Sequence, residues 1–289
     1  MPGRRDLYPM LAAVILLWGL AFAAIKQVTN EGVSWAALTV WRFVLGSGIF
    51  AVFLAVTPRA RVRVEGKDLG PLVALGFLGF TGYHLFLNYG EATGAPSGSA
   101  ALIIAAAPAF MVVLAVTHLK ERLPASRVLG LGVAFLGLGA MVLLNPQSLQ
   151  LGLSPALAAI VPAAVMAAFY AVYGKPYLRK YPPFTYVAYT MFAGTALLLP
   201  VAAWNGPSTV TDLGRLTAAG WAALLFLGIF PTVVAYGLWF RVLQRIPASA
   251  AAPYIYVSTV VALLGGLLLL AEPITATMVL GGAMVIGGG

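Results

Sequence analysis

Four polar side chains interrupt one apolar run: Thr81, His84, Asn88 and Glu91. Spacings of three, four and three place them on one face of a helix. In lipid such a stripe is either a hydrogen-bonded strip between helices or the polar wall of a cavity. The cavity is the working reading. Tyr83 adjoins His84, the one histidine well inside an apolar run, whereas His118 falls at a run's end beside Lys120 and Glu121. Arg42 lies about eight residues into another run, roughly 12 Å along a helix axis. It can bind a substrate carboxylate, or it can pack against backbone carbonyls or pair with an outer-side carboxylate; the structural role is favoured. Lys26 either guards a mouth of the cavity or snorkels to the interface.

Aromatic residues supply the remaining candidates. Chosen by depth within their runs, the expected substrate-binding set is Trp18, Tyr83, His84, Asn88, Tyr170, Tyr236, Trp239 and Tyr254. A pocket of rings and a few polar groups suits small amphipathic solutes, and ring faces also attract organic cations. Pro108, Pro162 and Pro231 each remove a backbone donor inside a run, as hinges or as packing kinks. Lys26, Arg42, Glu91, Pro108, Glu121 and Glu272 are expected in gating or structural roles.

These residues need a scaffold, and composition says which kind. Of 289 residues 61% are hydrophobic and 9% charged, where soluble domains carry about 25% charged. The chain is an integral membrane protein. Ten runs approach the roughly 20 apolar residues a span requires: about 7–27, 34–57, 69–90, 96–117, 126–145, 154–174, 184–204, 217–240, 247–270 and 274–289. With the N-terminus in the cytoplasm, 14 of the 17 Lys and Arg fall in inner segments, so the positive-inside rule sets the orientation. The net charge of +9 therefore reports topology and some attraction to anionic lipid, not nucleic acid. Gly3-Arg4-Arg5 and Ala21-Phe22-Ala23 have the look of a signal peptide, but cleavage there would remove a needed span.

The stretch from Leu75 to Gly130 recurs near the C-terminus. A shift of 151 residues puts Pro96 on Pro247, Glu121 on Glu272 and Val128-Leu129-Gly130 on Val279-Leu280-Gly281, while Gly79 meets Gly228 at a shift of 149. Ten spans then divide into two halves, 1–146 and 147–289. Five is odd, so the halves have opposite orientation. The expected fold is all-α, ten transmembrane helices in two inverted five-helix repeats, with the site near midplane between them. Pro108 meets Thr259, so a kink in span four is not expected in span nine.

Certain residues also carry a family resemblance. The stretch from Leu17-Trp18-Gly19 through Phe22 to Lys26 is similar to the opening WG-x-x-F-x-x-x-K of the drug/metabolite transporter superfamily. Trp41-Arg42-Phe43 resembles that family's intramembrane Arg. Pro108 to Glu121-Arg122-Leu123, and Leu269-Leu270-Ala271-Glu272-Pro273-Ile274, resemble the ends of two EamA repeats. The match spans essentially the whole chain. It implies ten spans and export or exchange of small metabolites across an inner membrane; a branch near the YddG-type amino-acid exporters is considered, with no motif to fix it.

The expected function is a secondary carrier, amino acids being the best guess for its cargo, with a multidrug or organic-cation carrier of the same fold as the alternative. It is expected to work as a monomer in the bilayer with no cofactor, metal, catalytic residue or nucleic-acid partner. Gly66-Lys67 and Gly174-Lys175 lack the glycine and Ser/Thr of a phosphate loop, so ATP drive is not expected. His84 and Asn88 resemble the H-x-x-x-N of rhomboid proteases, but the G-x-S-G serine is missing: Leu45 and Ala95 stand where its first glycine would precede Ser47 and Ser97. A passive channel is the remaining alternative class.

Overall fold

A computed structural model describes residues 6–60, 62–122, 124, 126, 128–130, 132–133, 136–137, 155–273 and 275–288. These residues form helices and connecting turns, with no strand among them. Among the described residues eight helices are long and apolar enough to cross a membrane: α1 Leu7–Asn30, α2 Trp35–Val56, α3 Gly66–Ala92, α4 Ser97–Thr117, α5 Pro155–Arg179, α6 Pro183–Asn205, α7 Ala218–Arg245 and α8 Ala248–Leu270. A shorter helix, α9, covers Ala276–Gly288. The expected fifth span, 126–145, lies largely outside the described residues, and the tenth corresponds to α9, 13 residues long.

Length and hydropathy make these helices, and local chemistry starts and stops them. Ser34 caps α2 by accepting the Ala37 amide at 3.3 Å, and Thr217 caps α7 by accepting the Gly220 amide at 3.3 Å, each satisfying an otherwise orphaned donor. Proline opens α5 and α6, where its missing N–H costs nothing. Many large apolar side chains, among them Leu16, Val52, Leu199 and Leu268, are exposed on the protein's exterior. Such a surface belongs against lipid rather than water.

Inside, α1 packs between α8 and α7, α3 lies against α5 and α6, and α4 bridges α5 and α8. Close approach depends on small residues, as expected where helices meet in lipid. A Cβ on Gly19 of α1 would sit 2.5 Å from the Val261 Cβ and 2.7 Å from the Ser258 carbonyl oxygen of α8.

Three helices are interrupted where the site lies. A π-helical turn occupies Phe77–Gly82 in α3, and a second occupies Phe230–Ala235 in α7. Pro231 opens the latter, where its lack of an N–H breaks the α-helical ladder. In α4 the helix breaks at Ala105–Ala106, just ahead of Pro108. The corresponding helix α8 is interrupted as well, at Ala252 ahead of Pro253. Span nine thus has its own proline break, nearer its start than the Thr259 position where Pro108 falls in the repeat.

The ends of α4 and α8 share one geometry. Lys120 and Ala271 both adopt the left-handed region, at φ 57° and 53°. The next amides, of Glu121 and Glu272, reach back to Ala115 O and Gly266 O, each at 3.0 Å. These pairs are again related by the shift of 151 residues.

Candidate functional site

The interruptions of α3 and α4 border a cavity of about 780 Å³, a volume that includes open solvent, and Tyr236 joins its wall just past the π turn of α7. Seven helices contribute: Trp18 and Phe22 from α1, Arg42 from α2, Gly79, Tyr83 and His84 from α3, Ile104 and Met111 from α4, Tyr170 from α5, Tyr236 and Trp239 from α7, and Ile255 and Ser258 from α8. Of the expected binding residues, Trp18, Tyr83, His84, Tyr170, Tyr236 and Trp239 therefore meet around one space. Arg42, expected in a structural role, joins them. Tyr254 lines a smaller adjoining crevice with Trp18 and Trp239.

The aromatic rings hold one another. Trp18 lies edge-on to Tyr236 with centroids 5.3 Å apart and meets Trp239 at 5.5 Å; Phe80 touches Tyr236 at 5.0 Å and Tyr170 at 5.3 Å. Offset and edge contacts of this kind fix ring orientation. Their polar tips find the carbonyls that the π turns expose. The Trp18 indole N–H donates to Pro231 O at 3.2 Å, and the Tyr236 hydroxyl donates to Gly79 O at 3.4 Å. A Cβ on Gly79 would come within 2.6 Å of the Tyr170 ring, so glycine there admits the ring. Tyr170 is tied in turn to Thr190 of α6 at 2.9 Å.

The polar stripe of α3 divides among several partners. Thr81 donates to Gly194 O of α6 at 2.8 Å. His84 Nε2 lies 3.2 Å from the Tyr236 hydroxyl, its ring centroid is 4.6 Å from that of Phe43, and its Nδ1 is buried without a hydrogen-bond partner among the described residues. Asn88 turns away from the cavity and donates to Thr39 of α2 at 2.8 Å. Glu91 is fully buried, with no hydrogen-bond partner among the described residues for either carboxylate oxygen. Lys26 meets that region through the backbone instead, donating to Glu91 O at 2.9 Å and Ala95 O at 3.4 Å.

Arg42 is 2% exposed. Its Nε donates to the Thr232 hydroxyl at 2.8 Å, within the π turn of α7, while Nη1 has no hydrogen-bond partner among the described residues. Thr232 was not among the residues singled out from the sequence. Its one signal there is its place next to Pro231, opposite Tyr83 in the repeat.

The remaining candidates tie helix ends. Glu121 accepts the amides of Ala248 at 2.9 Å and Ser249 at 3.0 Å and the Ser249 hydroxyl at 2.7 Å; Lys175 stands 3.5 Å away. Burial pushes this carboxyl up, but the Ser249 and Ala248 donors outweigh it and hold Glu121 below the usual carboxylate range. Glu272 accepts the Ser97 amide at 3.2 Å, the Ser97 hydroxyl and the Gly98 amide at 3.5 Å. His118 stacks on Tyr173 with centroids 4.1 Å apart, at the end of α4. Among the described residues no group of His, Asp and Glu is arranged to hold a metal ion.

The profile of the EamA-like transporter family matches residues 7–143 and again 154–288. A relative from Archaeoglobus fulgidus, described as an uncharacterized transporter, is 36% identical over 96% of this chain and 95% of its own. One from Streptantibioticus cattleyicolor, described as a probable terminal-alkyne amino-acid exporter, is 30% identical over 96% of this chain and 90% of its own. A probable amino-acid metabolite efflux pump of Escherichia coli is 26% identical over 95% and 90%. A solved crystal structure superposes with a TM-score of 0.71 at 23% identity, covering 98% of this chain and 95% of its own, a likeness of fold.

Proposed function

The chain belongs to the EamA-like transporter family, and from that premise we propose that it is a secondary carrier for small metabolites, amino acids and their derivatives first among them. It would export or exchange them across the cytoplasmic membrane by alternating access. The observation that carries this reading is the aromatic cavity at the meeting of seven helices, with Arg42 and His84 as its charged and titratable groups. The names of the relatives from Streptantibioticus cattleyicolor and Escherichia coli support the same class of cargo.

The proposed architecture is ten spans in two inverted repeats, 1–146 and 147–289, with the N-terminus in the cytoplasm. It is supported by the 151-residue shift that relates Lys120, Glu121 and Ala115 to Ala271, Glu272 and Gly266 in matching geometry. Rocking of the two halves would expose the cavity to each side in turn. The π turn of α3 and the break before Pro108 would supply hinges in its wall, and the π turn of α7 would supply one beside it. Trp18, Tyr83, His84, Tyr170, Tyr236 and Trp239 would contact substrate, Tyr254 would lie at the margin, and Asn88 would act by holding α3 to α2. The protein is proposed to work as a monomer.

An organic-cation carrier is the second reading, favoured by the ring faces. Against it, no Asp or Glu is among the described residues that line the cavity, whereas an Arg is. Counterflow in liposomes containing the purified protein tests the proposal. Uptake of labelled amino acid should saturate and should accelerate when unlabelled amino acid is loaded inside. Linear flux without competition would overturn it.

A further inference from the structure

We infer that Arg42 is the anchor for a single carboxylate on the transported solute, held in position by Thr232, so that the site selects monoanionic or zwitterionic carboxylates. This rests on the carrier reading above and narrows it.

Arg42 is buried in α2, yet among the described residues no carboxylate pairs with it. Thr232 takes only Nε, and Nη1 faces no acceptor. The Phe43 ring, 5.6 Å from the guanidinium carbon, gives a weak cation–π contact that leaves the N–H donors unused. A guanidinium buried in this way is costly unless something completes its hydrogen bonds, and the group lines a cavity large enough to admit that partner. A planar carboxylate matches the guanidinium fork. Thr232 sets the plane of the fork, because its hydroxyl fixes Nε and leaves the Nη edge for a ligand.

The count of charges limits what can bind. Among the described lining residues Arg42 is the one Lys or Arg, and they include no Asp or Glu. A monoanion neutralises it. A dianionic phosphate would leave a net negative charge in a low-dielectric site, and a simple amine would place two cations side by side. Trp18, Phe22 and Tyr236 then offer rings to the apolar part of the solute.

The test uses three probes that share a ring and a short chain: L-phenylalanine, 3-phenylpropanoate and 2-phenylethylamine. Each competes against labelled L-phenylalanine counterflow in liposomes containing the full chain. The two carboxylates should compete, and the amine should be weaker by roughly tenfold to a hundredfold, the range for a hydrogen bond to a charged group. Arg42→Gln should erase that preference and Arg42→Lys should keep part of it. Thr232→Val should weaken both carboxylates severalfold and leave the amine unchanged. If Arg42→Gln does not fold, Arg42→Lys and Thr232→Val still read the preference. Equal competition by the amine, or a preference that persists undiminished in a folded Arg42 variant, overturns the anchor while saturable uptake leaves the carrier reading standing. No saturable uptake of any probe by the unaltered protein overturns both.

Discussion

Glu121 and Glu272 bind α4 and α8 to each other at both ends. Glu121, just past α4, holds the first amides of α8, and Glu272, just past α8, holds the first amides of α4. Each follows a residue in the left-handed region. A lysine completes each joint: Lys175 donates to Ile246 O ahead of Pro247, and Lys26 donates to Ala95 O ahead of Pro96. A carboxylate at a helix start satisfies orphan N–H groups and favours the positive end of the helix dipole. Losing either cap should therefore cost about 1–2 kcal/mol. Glu121→Gln and Glu272→Gln should each lower the melting temperature of the purified protein. With no shared partner, their effects should add in the double variant. A double variant no less stable than either single one would show that the two joints are coupled.

The left-handed residues before these caps carry a separate prediction. Neither Lys120 nor Ala271 is glycine, and an L side chain in that region costs on the order of 1 kcal/mol. Ala271→Gly should therefore raise the melting temperature slightly, and Lys120→Gly should do the same. A fall of similar size in both would mean that the side chains contribute more than their backbone geometry costs.

Acid should loosen the Glu121 joint. Its carboxyl is held below the usual range by the Ser249 and Ala248 donors. Its contribution is thus fully present above the unfolded value of about 4.3 and is lost as pH falls through the lower folded value. Melting temperature followed from pH 7 down to about pH 3 should drop on the acid side in the unaltered protein. Glu121→Gln should show a shallower acid limb, and an unchanged limb would remove Glu121 from the cause.

Much of this arrangement is written in the sequence, and the missing parts share one physical origin. The hydropathy runs place eight helices to within a few residues, because burial in lipid demands length and apolarity from each span by itself. The shift that aligns Glu121 with Glu272 likewise needs only the order of residues. Rotation about a helix axis is different. Thr81, His84 and Asn88 share one face of α3 in projection, yet they serve α6, the cavity and α2 respectively. That division depends on which neighbours flank the helix. The same holds for Arg42: its depth is legible, but whether its guanidinium meets backbone or cavity depends on Thr232, 190 positions away.

Gly79 and Tyr170 give a test of the cavity wall. A Cβ at position 79 would meet the Tyr170 ring at 2.6 Å, so Gly79→Ala should displace that ring and disturb the Tyr236 hydroxyl. Overpacking of this kind costs about 1–3 kcal/mol, and transport should fall with it. Adding Tyr170→Leu should recover most of the stability by making room. If the double variant is no more stable than Gly79→Ala alone, the clash lies elsewhere.

Glu91 should behave oppositely to the capping glutamates. Both of its carboxylate oxygens are buried without a hydrogen-bond partner, and Lys26 donates to its backbone carbonyl, not to its side chain. Glu91→Gln therefore removes no hydrogen bond and relieves the burial of a carboxyl, which should gain roughly 1 kcal/mol. Lys26→Met removes the bonds to Glu91 O and Ala95 O and should destabilise. Residues retained against stability are commonly retained for activity, so the initial rate of counterflow should fall in Glu91→Gln even as its melting temperature rises. A fall in melting temperature as large as that of Glu121→Gln would instead make Glu91 a structural residue with a partner formed only in the membrane.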